Sequence, residues 1–89
     1  MTSNKQNRSN GISVIIPSYN PDPGHLAALY QSLLTQTWPH FEVIVVDDGS
    51  TRADYALPED PRFRILRQPE NRGPAACRNT GVEAARYDL

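Results

Sequence analysis

Residues 41–50 read Phe41-Glu42-Val43-Ile44-Val45-Val46-Asp47-Asp48-Gly49-Ser50, the most apolar run of the chain, ending on two adjacent carboxylates and a turn pair. A continuous β-branched run of this length predicts a strand covered on both faces, since a one-sided strand would alternate apolar with polar. Isolated ionised carboxylates are very costly inside a protein, so the sequence places Asp47 and Asp48 at the mouth of the sheet, within reach of water or a ligand. A second apolar run, Ile12 to Ile16, ends in Pro17-Ser18-Tyr19-Asn20. Two strands thus deliver polar groups to one sheet edge, and in open α/β sheets that carboxyl edge is where ligands bind.

After the strand at 12–16, Asp22 is placed to cap a helix whose first position is Pro23, where a missing N–H is harmless. Leu26, Leu29, Tyr30, Leu33 and Leu34 form a helical stripe facing the core, and Pro39 ends the helix near Gln36 to Trp38. The connection is long enough for a right-handed crossover, so the strands at 12–16 and 41–46 are parallel neighbours. A short helical turn after Ser50 is stopped by Pro58 and Pro61. Phe63, Ile65 and Leu66 make a third strand, whose Arg62, Arg64 and Arg67 read as the charged dressing of an edge. Gly73-Pro74 opens a last helix rich in small residues, in which Gly81 costs about 1 kcal/mol relative to Ala; close packing on the sheet accounts for it. The expected fold class is α/β: a three-layer α/β/α, Rossmann-like arrangement with strand order 3-2-1, about half of a parallel sheet. A fourth strand is called for where the sequence stops at Leu89, which predicts an incomplete domain over residues 12–89 and self-association through the open border of the first strand.

The 89 residues form at most one small domain, and nine basic against ten acidic residues, net charge −1, offer no reason to expect a nucleic-acid partner. No stretch is long enough to span a bilayer. Residues 1–11 are expected to form a disordered polar lead-in; their first ten residues lack the apolar core of a secretory signal. Cys77 is the single cysteine, which fits a reducing, cytoplasmic setting; among alanines it reads as a small buried hydrophobe. His25 and His40 lack metal-ligand spacing. No G-x-G-x-x-G follows a strand and no P-loop is present, so dinucleotide and P-loop readings lose their main support. A phospho-receiver domain would want its acid pair after the first strand, where Pro17-Ser18-Tyr19-Asn20 stands instead.

Three segments, SVIIPSYN at 13–20, VIVVDDGST at 43–51 and ENRGPAACRNTG at 70–81, in this order and spacing, together resemble the nucleotide-binding half of family 2 glycosyltransferases with the GT-A fold. The resemblance implies a nucleotide-diphosphate sugar donor, most often a uridine one, and transfer of the sugar to an acceptor hydroxyl with inversion. An ionised Asp48 can accept from the uracil N–H, while Asp47 braces the loop; the alternative for either acid is to cap the turn at Gly49-Ser50. Pro17 and Tyr19 look like the other wall of a base pocket, shaped by Ser18 and Asn20, although a tyrosine folded onto the core is as common. Asn71 and Gly73 precede the last helix, whose N-terminus favours anions, and Arg78 is placed to reach a diphosphate oxygen or to form a surface ion pair; Gly49 and Gly73 are turn glycines that also allow close approach of a ligand. The family's Asp-x-Asp metal motif, its acceptor site and its catalytic base have no counterpart up to Leu89. A complete enzyme is therefore expected to use Mg²⁺ or Mn²⁺ to neutralise the leaving group, and to reach the inner face of the membrane through other regions, while residues 1–89 alone hold no metal and are inactive. A noncatalytic nucleotide-binding module, or a degenerate paralogue, is the alternative reading.

Overall fold

The computed structural model describes residues 11–36, 39–51 and 55–87. Most of the expected lead-in, Thr37-Trp38 and part of the segment after Ser50 lie outside those residues; the first helix ends at Thr35, with Gln36 extended as its C-cap. The elements run β1 (Ile12–Ser18), α1 (Pro23–Thr35), β2 (Phe41–Asp48), β3 (Phe63–Gln68) and α2 (Pro74–Ala84). The strands form one parallel sheet in the order β1-β2-β3, with Ile12 opposite Phe41, Ser18 opposite Asp47 and Asp48 opposite Gln68. Among the described residues no strand pairs with the outer side of β1. Each strand runs two residues past its apolar stretch, because ladder hydrogen bonds belong to the backbone and continue under polar side chains.

All eight residues of β2 are buried, and the period of two divides them between the layers. Phe41, Val43 and Val45 pack with Leu26 and Tyr30 of α1 and with Tyr55 and Phe63. Phe63 meets Tyr30 and Phe41 edge-on, at ring separations of 5.7 and 6.2 Å, the arrangement that aromatic quadrupoles favour. Ile44 and Val46 pack on the other face with Cys77 of α2, joined by Ile15, Leu66, Ala84 and Ala85. Three layers result.

Asp22 caps α1, accepting from the His25 N–H at 3.0 Å, with Pro23 at the first position. The stripe is narrower than predicted: Leu26 and Tyr30 are buried and Leu33 packs beside them, whereas Leu29 and Leu34 stand more than a third exposed on its two borders. The arginines around β3 are tied in as well as exposed. Arg62 pairs with Asp60 at 2.7 Å and lies over the Phe41 ring, and Arg64 donates to the Ala84 carbonyl. Glu42, buried within β2, takes hydrogen bonds from the Ser13 hydroxyl at 2.8 Å and from the Arg86 N–H. Gly11, assigned to the lead-in by sequence, is buried against the Tyr87 ring. No described helix is long and apolar enough to cross a membrane.

Gly81 shows why α2 tolerates a helix-weakening residue. A Cβ there would stand 2.4 Å from Cγ2 of Ile15 on β1. Gly81→Ala is expected to destabilise by roughly 1–3 kcal/mol, overpacking outweighing the gain in helix propensity. Denaturant titration should show this loss, and in the Gly81→Ala, Ile15→Ala double variant a total loss smaller than the sum of the two single losses.

Candidate functional site

The three parallel strands end together, so the loops that follow them meet at one edge. Asn20, after β1, staples itself to the loop after β2: its N–H donates to Ser50 Oγ at 2.7 Å, and its Oδ1 accepts from the Thr51 N–H at 3.1 Å. Asn20 has φ 44°, in the left-handed region that asparagine tolerates better than most residues. Asn20 and Ser50 are thereby brought together as a brace between loops.

Asp47 and Asp48 are 3% and 5% exposed, so they close the end of a buried strand instead of standing in open solvent. Alternation sends them to opposite faces. Asp47, on the α1 side, accepts from the Tyr55 hydroxyl and from the Ser50 N–H at 3.2 Å, with the Arg67 guanidinium 3.8 Å away. Burial pushes its carboxyl up, but the Ser50 hydroxyl and N–H, the Tyr55 hydroxyl and Arg67 together outweigh this and hold its pKa below the ordinary value. Asp48, on the α2 side, accepts from the backbone N–H groups of Arg72 at 2.7 Å and Gly73 at 2.9 Å, and from Gln68 Nε2 at 3.2 Å. The Arg72 N–H is the chief reason that its pKa is lowered, helped by Gly73, Gln68 and the Cys77 thiol against a smaller opposing effect of desolvation.

Asp48 therefore pins the loop between β3 and α2. Gly49 makes room for it: at φ 73°, a Cβ there would come 2.8 Å from the backbone of Glu70 and Asn71. The close approach at Gly49 is made by the protein's own backbone. Gly73, at φ 94°, caps α2 with open space around its Cα.

Between the pinned loop and β1 lies a cleft of about 310 Å³, lined by Pro17, Ser18, Tyr19, Asp48, Pro74 and Cys77. Four of these six are residues singled out from sequence. Tyr19 is half exposed, with its ring at the cleft's wall. Asp47, Gly49, Ser50 and Asn20 support this lining from behind, while Asn71 and Arg78 are exposed and do not belong to it. Sequence reasoning misses Tyr55, Gln68 and Pro74. Tyr55 and Gln68 act through polar contacts remote in sequence, which no periodicity announces; Pro74 is legible only as a helix opener. Cys77 is fully buried as expected, and burial together with the Asp48 charge pushes its thiol up, away from nucleophile chemistry.

Among the described residues no three histidine, cysteine or acidic side chains converge on a common point. Asp47 and Asp48 diverge and already serve internal donors, so this acid pair does not fit a divalent cation. What the arrangement provides is a flat-walled, mainly apolar slot with one charged acceptor, suited to a planar group carrying an N–H.

The family model described as glycosyl transferase family 2 matches residues 13–89. The chain is 40% identical over 84 residues to an uncharacterized glycosyltransferase, YibD, of Escherichia coli, the match covering 89% of this chain and 24% of YibD. It is 38% identical over 83 residues to the putative glycosyltransferase EpsH of Bacillus subtilis, covering 88% and 24%. It is 38% identical over 78 residues to the succinoglycan biosynthesis protein ExoW of Rhizobium meliloti, covering 81% and 24%. The chain spans about a quarter of the length of these curated relatives.

The lowered carboxyl pKa values set the acid limit of the fold. Asp60, hydrogen-bonded by the Arg62 side chain and N–H, is lowered to about 2, and Asp47 and Asp48 shift in the same direction. A carboxyl depressed by folding contributes stability above its unfolded pKa of about 3.9, and that contribution is lost as pH falls through the folded value. Unfolding free energy is thus expected to hold down to about pH 4 and to decline steadily toward pH 2. Asp60→Asn should flatten part of that decline in denaturant titrations run at successive pH values.

Proposed function

The chain belongs to glycosyl transferase family 2, and from that premise we propose that it forms the nucleotide-binding part of a longer enzyme, one that takes a uridine-diphosphate sugar and passes the sugar to an acceptor hydroxyl with inversion. The observation that carries this reading is the presence of Tyr19 and Asp48 in one cleft. Uracil presents an N–H between two carbonyls. A carboxylate has about four acceptor positions; Asp48 gives two on Oδ1 to Arg72 and Gln68 and one on Oδ2 to Gly73, and the Cys77 thiol is only a weak donor that a base N–H outcompetes for the last. The base N–H takes the fourth. Cytosine, which offers a lone pair at that ring position, would face the carboxylate with like polarity and is disfavoured.

The Tyr19 ring and the two prolines give the base its apolar walls. The N-terminus of α2, where Asn71 and Gly73 lead in and Arg78 follows one turn inside, attracts the diphosphate. The Gly73 N–H already serves Asp48, so the phosphate's partners are the next N–H groups of the helix and the Arg78 side chain. A cation for the leaving group, a general base and the acceptor site must come from residues beyond those described. By likeness to ExoW, whose name concerns succinoglycan biosynthesis, we extend the proposal to polysaccharide assembly on the cytoplasmic side of the cell envelope. The border of β1 that no described strand pairs is where the chain on its own would associate with a second copy.

Calorimetric titration of the complete protein with UDP tests the reading. Binding is expected, with CDP much weaker; Asp48→Ala should lose about 10- to 100-fold, as for a hydrogen bond to a charged group, and Tyr19→Ala roughly tenfold from lost ring contact. Binding without sugar transfer by the complete protein would favour a noncatalytic module. No binding of UDP, or equal binding of CDP, would end the assignment.

A further inference from the structure

Gln68 closes β3 directly opposite Asp48 in the sheet register. Its carboxamide lies between three partners. Nε2 donates to Asp48 Oδ1 at 3.2 Å and approaches Cys77 Sγ at 3.5 Å, and Oε1 accepts from the Thr80 hydroxyl of α2 at 2.9 Å. The carboxylate decides which way round the amide sits, because a flipped Gln68 would set its oxygen against Asp48. Thr80 then holds the far end of the amide, so a contact between β3 and α2 fixes a side chain at the end of β2.

We infer that Gln68, anchored by Thr80, is a positioning residue for nucleotide recognition: it fills the second acceptor position of Asp48 Oδ1 and so directs Oδ2 toward donors from the cleft. The inference rests on the uridine-nucleotide reading above. Without Gln68 the carboxylate has open positions on both oxygens and loses the side-chain partner that helps fix its rotation. A base N–H then meets an acceptor that is less well aimed, and discrimination between a ring N–H and a ring lone pair weakens with it.

The groups facing Asp48 are few. The Cys77 thiol faces it from α2, Asp47 neighbours it on β2, Tyr19 shares the cleft wall, and Arg72 of the loop turns its guanidinium to Glu70 at 3.4 Å. Of these only the Cys77 thiol donates to Asp48, and as a weak donor it does not replace the Gln68 amide.

The test uses the complete protein, titrated with UDP and with CDP, alongside melting temperatures. Gln68→Leu is expected to weaken UDP binding about tenfold, the scale of a hydrogen bond to a charged acceptor, and to shrink the preference for UDP over CDP. Thr80→Val should do the same to a smaller degree, roughly threefold. Gln68→Glu supplies a readout that a purely structural role would not move. At lower pH the introduced carboxyl and Asp48 share a proton, which restores a donor in place of the amide; at higher pH the two carboxylates repel. The affinity of this variant relative to wild type at each pH, a ratio in which the phosphate's own titration cancels, should fall between about pH 5 and about pH 8. Should Gln68→Leu fail to fold, Thr80→Val and Gln68→Glu decide the matter. A wild-type protein that binds UDP, with these variants matching it in affinity, base preference and pH profile, overturns the positioning role alone; a wild-type protein that does not bind UDP overturns the nucleotide reading beneath it.

Discussion

A strand buried along its whole length that ends in two carboxylates obliges the rest of the chain to supply their partners. Leaving a charge unpaired in a buried setting costs several kcal/mol. The fold meets the requirement twice, once on each side of β2. Asp47 draws in Tyr55 and the turn at Ser50, and Asp48 draws in two N–H groups from the loop before α2. The loops that border the cleft are in place because these acids need donors, so the site's shape and the sheet's electrostatics have one cause.

That cause also makes the two acids unequal. Alternation buries Asp47 among groups that satisfy it from the chain's own interior, whereas Asp48 reaches the side where Pro17, Tyr19, Pro74 and Cys77 leave room. A carboxylate fixed by two backbone N–H groups and an amide is aimed before any ligand arrives. Under the proposed function such an acceptor would need little ordering on binding, and a shallow, mainly apolar slot would gain its selectivity from one charge. The apolar remainder of the lining contributes area and planarity without competing polar groups.

Most of the frame was legible because it follows from periodicity and local chemistry. The continuous run at 41–46 implied a central strand, the crossover spacing its parallel neighbour, Asp22-Pro23 the helix start, and Gly81 a close contact that Ile15 makes real. The cleft's own residues at 17–19 and 48 were readable from their place after apolar runs. What escaped was the polar traffic between elements. Tyr55, Gln68 and Glu42 matter through partners eight to forty-four positions away, and such pairs leave no period in a sequence. The burial of Asp47 and Asp48 escaped for the same reason, since the donors that make it tolerable lie elsewhere in the chain. Leu29 and Leu34 were overread because a stripe of leucines does not say how wide a face the sheet offers.

The acids of β2 also bear on how the sheet finds its register. Its apolar residues, Val43 to Val46, are so alike that sliding β2 by one residue would exchange valines and an isoleucine between layers at modest cost. The same slide would turn Glu42 toward the aromatic layer of Tyr30 and Phe63, away from Ser13 and the Arg86 N–H, and would swap the faces of Asp47 and Asp48, taking each from its donors. Three carboxylates would be stranded together. A run that is nearly degenerate in its middle is thus made unique by its polar ends, and the two acids that lock the alignment at the carboxyl edge are the ones that shape the cleft there. Register and the shape of the cleft are tied to the same side chains, so a change that loosens the donors of Asp47 or Asp48 acts on the packing of the sheet as well as on the cleft.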